Sequence, residues 1–365
     1  VRIGYVAETL PPDVLGDSPS ADQRLRHLRS AGHAVQLIRP RRPGEPPRRD
    51  ADEWCCGLTT PGALRSLWRD ARMRPDIVHV ATPGPLGWAA LRAAHAEGIP
   101  ASADFRIRAS GPGWLRAALL SYLRRLHAMA AGSFVATAEL ARELDARGFE
   151  RLFVLGRGVD TRLFSPTRRD AALREHWRAS AAERVLLYVG PLTEEHNAGV
   201  ALQMFARLGA RRPGLRRVVV GDGPLRARLE REHPGVRFAG SLAGHALARH
   251  YASADVLLFP SLDDGCSHVV LEAQASGLAV AAFDRGAAAR HVRDGVNGCL
   301  AATCDGLAGL EAFFDAATRA LEASAPDGPL RTQARLAGCQ ADWGDVLRRF
   351  EQQLEQLAHA RPAAA

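Results

Sequence analysis

The 365-residue chain contains no lysine, and all 48 of its basic residues are arginine, set against 40 acidic ones for a net charge of +8. A GC-rich coding sequence explains the bias, given that alanine is abundant as well. The positive balance suits anionic partners such as nucleotide diphosphates or anionic lipid headgroups. Nucleic acid is not expected, because no zinc-finger, ribonucleoprotein or helix-turn-helix signature accompanies the charge. Cysteine is scarce too. Cys55, Cys56, Cys266, Cys299, Cys304 and Cys339 include no pair spaced by two residues, which excludes a structural zinc motif and a disulfide-stapled scaffold. Reduced thiols in a cytosolic protein are the simplest expectation. Long apolar runs are missing, none nearing the roughly 18–20 residues that span a bilayer. The chain enters the run Val1 to Ala7 without a basic region or cleavage site, so no secretory signal is expected and the location expected is cytoplasmic. The dinucleotide fingerprint is absent as well, since Gly221-Asp222-Gly223 is followed by Arg226 where a third glycine belongs.

What is present is an ordinary globular composition, 47% hydrophobic and 24% charged, with length enough for two domains. Short apolar runs alternate with helical spacing, the pattern of a parallel sheet flanked by helices. Arg2 to Val6, His33 to Ile38, Asp76 to Val80, Ser133 to Ala136 and Leu152 to Leu155 read as strands of a first α/β half. Arg39 to Asp50, rich in arginine and proline, reads as an exposed loop. A second half starts over with Arg184 to Val189, Arg217 to Val220, Val236 to Ala239, Val256 to Phe259 and Ala279 to Phe283. Trp343 to Leu357 is an amphipathic helix ahead of a short alanine-rich tail. Sheets of this kind bind ligands beyond the carboxyl ends of their strands, so the loops there are where chemistry is expected.

The informative segment runs from Phe259 to Gly298. A strand gives way to a polar loop carrying Asp263 and Asp264, and a helix with Glu272 follows. Seven residues separate Asp264 from Glu272, placing one acid in the loop and the other in the helix, where the two can hold different hydroxyls of one ligand. The amides of Ser267, His268, Val269 and Val270 open that helix and have no preceding carbonyl to bind, so they face an anion. Read alone, Glu272 is equally an acid that complements the helix dipole.

This segment resembles the retaining glycosyltransferases of family 4, whose pattern is an acidic residue, seven residues, Glu-Ala and a Ser-Gly pair; here Asp264, Glu272-Ala273 and Ser276-Gly277 fill it. Further matching text lies at Leu10 to Gly16, Arg74 to Gly87, Gly156 to Phe164, Val218 to Pro224 and His250 to Ser261, and is most similar to the mannosyltransferase, sugar-lipid-forming branch. The resemblance implies an α/β chain of GT-B fold, two facing Rossmann-like domains with parallel sheets and a cleft between them. Residues 1–166 would form the acceptor-side domain, 167–340 the donor-side domain, and 341–365 a helix crossing back to the first domain and a tail. It implies sugar transfer from GDP-mannose or a UDP-sugar to a hydroxyl of a lipid, glycan or small molecule, with retention and without cofactor or metal. By the same resemblance Glu272 would hold the donor ribose, Asp264 the transferred sugar and residues 267–270 the sugar and phosphate. Gly16 and Gly190 would let backbone approach the diphosphate, with His196 and Asn197 beside it.

Several positions depart from the family text. In residues 190–197 the family has arginine where Pro191 stands and lysine where His196 stands, and these two grip the diphosphate. Proline has no charge and no amide donor, and histidine is only partly protonated at neutral pH. The family's active-site histidine aligns with Arg106, and Asp17 adds negative charge beside Gly16. One preorganised oxyanion donor is worth roughly a hundred- to a thousandfold in rate. Arg106 can compensate through bidentate phosphate contacts. Two readings therefore stand: an active transferase with a rewired site, and a catalytically degenerate relative that binds nucleotide-sugar or regulates a partner. Elsewhere, His268 reads as a surface or packing residue, Cys266 as a small buried hydrophobe and His79 as a satisfied core residue. The segment Trp114 to Ala130, with interleaved Leu and Arg, is either a core-facing helix or one lying on an anionic membrane surface, in which case attachment would be peripheral, at the inner face of the plasma membrane.

Overall fold

A computed structural model describes residues 1–8, 18–42, 44–46, 48–56, 59–105, 113–262, 267–304, 306–326 and 328–360. The chain divides into two compact units, Val1–Gly156 with Val346–Ala365, and Arg157–Asp345.

The first unit begins β1 (Arg2–Val6), α1 (Ser18–Ser30), β2 (Ala34–Pro40), β3 (Arg48–Arg49), β4 (Glu53–Cys56) and α2 (Pro61–Trp68). It continues β5 (Ile77–Val80), α3 (Pro85–Ala96), β6 (Ala101–Asp104), α4 (Gly113–Ala128), β7 (Gly132–Val135), α5 (Ala138–Asp145) and β8 (Leu152–Val154). Its eight strands lie in the order β3-β4-β2-β1-β5-β6-β7-β8, all parallel except the short β3. β5 is buried along its whole length, as a parallel strand covered on both faces must be. Thr60 caps α2 by accepting from the Ala63 amide, and Pro61 takes the first helical position, where no amide donor is needed.

The second unit runs α6 (Ala171–His176), β9 (Val185–Val189), α7 (Ala198–Arg211), β10 (Arg216–Val220), α8 (Arg226–Glu232), β11 (Arg237–Phe238), α9 (Gly244–Ser253) and β12 (Val256–Phe259). Then come α10 (Ser267–Ala275), β13 (Ala279–Phe283), α11 (Gly286–His291), β14 (Cys299–Ala301), α12 (Gly306–Glu322) and α13 (Pro329–Gln340). Its six strands are parallel in the order β11-β10-β9-β12-β13-β14. Alternate residues of β9 feed opposite faces: Leu186 and Tyr188 join Phe205 and Phe313, while Leu187 joins Tyr251 and Leu271. α14 (Trp343–His359) leaves this unit and returns to the first, where Phe350, Leu354 and Leu357 enter the core beside Ile3 and Phe134.

Asp255, fully buried just ahead of β12, ties the amino-terminal edge of the second sheet together. Its carboxylate accepts from the Val185 amide at 2.9 Å, Arg331 at 3.1 Å, and Arg174 and Arg169 at 3.2 Å each. In the stretch expected to be an exposed loop, Arg39 instead closes β2 as a buried residue, because Glu45 and Glu53 pair with its guanidinium. His79 is fully buried, as expected of a core residue, with Nδ1 2.9 Å from the Ser102 hydroxyl; its Nε2 lies 3.7 Å from the Asp104 carboxylate, beyond hydrogen-bond distance, so the ring is satisfied only in part. α4 turns Leu123 and Leu126 into the core and leaves Tyr122 exposed.

Candidate donor site in the second unit

Three loops follow the carboxyl ends of adjacent strands in the second sheet, after β9, β10 and β12. β10 pairs with β9 up to Val220 against Val189, so the first two loops leave the sheet side by side. Their backbones then lock. The Gly190 amide donates to the Val220 carbonyl at 3.0 Å and the Leu192 amide to the Asp222 carbonyl at 2.9 Å. A side chain on Gly221 would overlap the Gly190 carbonyl oxygen, and Gly221 has a φ of +144°. Only glycine meets both conditions. The Gly-Asp-Gly sequence thus serves loop docking rather than dinucleotide binding.

The loop after β9 is held at both ends. The Tyr188 hydroxyl donates to the Pro191 carbonyl at 2.9 Å, and Pro191 itself is exposed. His196 Nδ1 lies 2.7 Å from the Thr193 hydroxyl. Asn197 adopts a left-handed conformation with φ +52°, and its side-chain amide donates to the Pro260 carbonyl at 3.1 Å, joining this loop to the end of β12. Gly190, His196 and Asn197 therefore share one edge of the sheet with the loop that leads to α10.

On α10, Val269 and Val270 point into the core and His268 is exposed. Glu272 is the chemical centre of this helix. Burial pushes its carboxyl up to about 8, against the opposing effect of a hydrogen bond with the Tyr251 side chain. One carboxyl oxygen, Oε2, is buried and has no partner among the described residues. At neutral pH such an acid is mostly protonated, and a ligand that donates hydrogen bonds to it would favour its ionised form. Asp264, Arg106, Gly16 and Cys266 lie outside the described residues, as does the side chain of Ser267.

Sequence reasoning missed Tyr251, the partner of Glu272, because it lies 21 positions away on another helix. It also missed Glu8 in the first unit. There the Glu8 carboxylate accepts from the Gly87 amide in the first turn of α3 at 2.9 Å, while its own amide donates to the Thr82 hydroxyl at 2.6 Å. An acid at a helix amino terminus is the expected complement of its dipole. At the end of β6, Asp104 takes two hydrogen bonds from Arg24, at 2.8 and 2.6 Å, in a buried pair two residues ahead of position 106. Nearby, burial drives His127 down to about 4 despite the Asp104 charge, so it is neutral at physiological pH, with Nδ1 2.7 Å from the Ser133 hydroxyl.

Two units of parallel α/β sheet, each flanked by helices, are the architecture of the GT-B glycosyltransferase fold. Solved structures share the fold: a sucrose-phosphate synthase from Thermosynechococcus elongatus aligns with a TM-score of 0.74 at 18% identity, covering 98% of each chain. The Anabaena protein HepE in complex with UDP and glucose aligns at 0.70 and 16% identity, covering 98% of this chain and 99% of that one. Residues 20–163 match the family model described as Glycosyltransferase Family 4, and residues 183–323 that described as Glycosyl transferases group 1. A GDP-mannose-dependent alpha-mannosyltransferase of Mycobacterium tuberculosis is 33% identical over 78% of this chain and 80% of its own. One of the same name from Corynebacterium glutamicum is 31% identical over 82% of this chain and 76% of its own. The chain belongs to glycosyltransferase family 4, in the company of GDP-mannose-dependent mannosyltransferases.

Proposed function

We propose that the protein transfers mannose from GDP-mannose to an acceptor hydroxyl, with retention at the anomeric carbon. The observation that carries this reading is Glu272: a buried acid on α10, one oxygen of which has no partner among the described residues, at the position where the resemblance places a ribose-binding glutamate. The ribose hydroxyls of the donor would donate to that carboxylate. Asp264, by its place in the motif, would hold hydroxyls of the mannose. The amides of residues 267–270, at the start of a nine-residue helix, would meet the phosphate that leaves.

In the step itself the bond from the anomeric carbon to phosphate oxygen breaks and the bond from that carbon to the acceptor oxygen forms. The acceptor's proton passes to the leaving phosphate on the same face, which preserves the configuration and requires no enzymic nucleophile. Stabilising the departing GDP is then the main task of the protein. The relatives named for GDP-mannose favour that donor over a UDP-sugar. A lipid, glycan or small molecule would supply the acceptor hydroxyl. The reaction would take place in the cytoplasm, and a lipid acceptor would bring the protein to the inner face of the plasma membrane. Among the described residues no helix is long and apolar enough to cross a bilayer.

Isothermal titration with GDP, UDP, GDP-mannose and UDP-glucose tests the donor. Binding confined to the guanine pair and lost in Glu272→Ala, followed by turnover with the α-anomer retained by NMR, is the expected result. Selective binding of the uracil pair would replace mannose transfer with transfer from a UDP-sugar. Absence of any nucleotide binding in folded protein would overturn the reading and favour the degenerate, partner-regulating one, for which exposed Pro191 in place of arginine is the supporting feature.

A further inference from the structure

Within the first unit, α14 meets two histidines. His27 lies in the last turn of α1, His33 stands directly ahead of β2, and Glu351 and Glu355 sit one turn apart on α14. Both imidazoles face one carboxylate: His27 Nε2 is 2.8 Å from Glu351 Oε2 and His33 Nε2 is 2.9 Å from Glu351 Oε1. His33 Nε2 is also 3.9 Å from Glu355 Oε1. Ligand atoms of His33, Glu351 and Glu355 all fall within 4.8 Å of one another. The side chain of His33 is 7% exposed and that of Glu351 20%, whereas Glu355 is 46% exposed and free to move.

This is a recognisable donor set. One imidazole nitrogen and two carboxylates suit a borderline divalent ion such as Zn2+, which accepts nitrogen and oxygen at about 2.0–2.2 Å, far better than Mg2+ or Ca2+, which prefer oxygen alone. The two carboxylates bring negative charge that a dication cancels. Donors around one tetrahedral ion lie about 3.3 Å apart, so His33 and Glu351, at 2.9 Å, are already close enough and Glu355, 3.9 Å from His33, is the ligand that has to move in. The half-exposed Glu355 side chain supplies that movement. The second oxygen of Glu351 keeps its hydrogen bond from His27, the outer-shell partner that commonly fixes a ligating carboxylate.

We propose that His33, Glu351 and Glu355 form a site for a divalent transition-metal ion of the Zn2+ type, with His27 orienting Glu351. Bound there, the ion pins α14 to the end of α1 and the start of β2, fastening the returning helix to the first unit. Metal-stripped full-length protein is titrated with ZnCl2 by calorimetry and melted in EDTA, ZnCl2 or MgCl2, in a Cys304→Ser/Cys339→Ser background that removes the exposed thiols. One Zn2+ per chain is expected, with a melting temperature about 3–6 °C higher at saturation and no rise with MgCl2. Glu355→Gln, at a half-exposed position, should melt in EDTA like its parent and bind Zn2+ at least about tenfold more weakly, and His33→Gln should weaken it similarly. The proposal is overturned if the parent binds no Zn2+, or if both variants bind it with unchanged affinity.

Discussion

The buried acid on α10 sets up a measurable conflict between stability and ligand binding. Glu272 titrates near 8 in the folded protein and near 4.5 in an unfolded chain, chiefly because burial disfavours its charged form. Since the folded value is the higher one, the protonated acid gives its full support to folding below about pH 4.5, and that support is lost as pH rises toward 8. At 1.36 kcal/mol for each pKa unit, the loss reaches up to about 4–5 kcal/mol. Glu272→Gln keeps the size of the side chain and an oxygen for the Tyr251 hydroxyl, and removes the ionisation. The variant should match wild type near pH 5 and exceed its stability by a few kcal/mol near pH 8.5. Urea denaturation from pH 5 to 8.5, following Trp177 in the second unit, reads the difference. Parallel pH profiles for the two proteins would refute the account, for they would mean that Glu272 ionises as freely folded as unfolded. The same substitution should abolish nucleotide binding while stabilising the free protein, the trade expected where an acid is kept for a ligand.

Gly221→Ala forces a methyl group into the Gly190 carbonyl at a φ of +144°, and should destabilise the second unit by about 2–4 kcal/mol in urea denaturation. Asp255→Asn leaves Arg174 and Arg331 buried without their counter-charge, and should cost about 3–5 kcal/mol by the same measurement. His127 titrates at about 4 folded against 6.5 unfolded, so the first unit should lose up to about 3 kcal/mol as pH falls from 6.5 to 4; His127→Asn, which can still meet Ser133, should flatten that acid limb. Pro191→Arg combined with His196→Lys should raise turnover with GDP-mannose by at least about tenfold if the missing diphosphate contacts limit the rate, and unchanged turnover would show that other groups have replaced them.

The legible parts of this chain are those whose cause is local. β9, β12 and β13 are unbroken apolar runs, the usual text of a parallel strand covered on both faces. β6, Ala-Ser-Ala-Asp, has no β-branched or large apolar residue and becomes a strand by pairing between β5 and β7. Arg39 enters the buried class through Glu45 and Glu53, which composition sees only as part of a polar loop. The site divides in the same way. Motif spacing singles out Glu272, His196 and Asn197 as candidates, whereas the raised pKa of Glu272 comes from its burial in the surrounding core, which no spacing encodes.

The altered loop after β9 shows what this division means for function. Its departures from the family, Pro191 and His196, remove charge, yet the contacts that shape the loop run largely through backbone carbonyls: Tyr188 to Pro191, Asn197 to Pro260, and Gly190 against Val220. Carbonyls are present whatever the side chain, so the loop keeps its form while its electrostatics change. Because those carbonyl contacts do not depend on the side chains at 191 and 196, Pro191→Arg and His196→Lys are expected to change the charge at this edge of the sheet without first having to rebuild the loop.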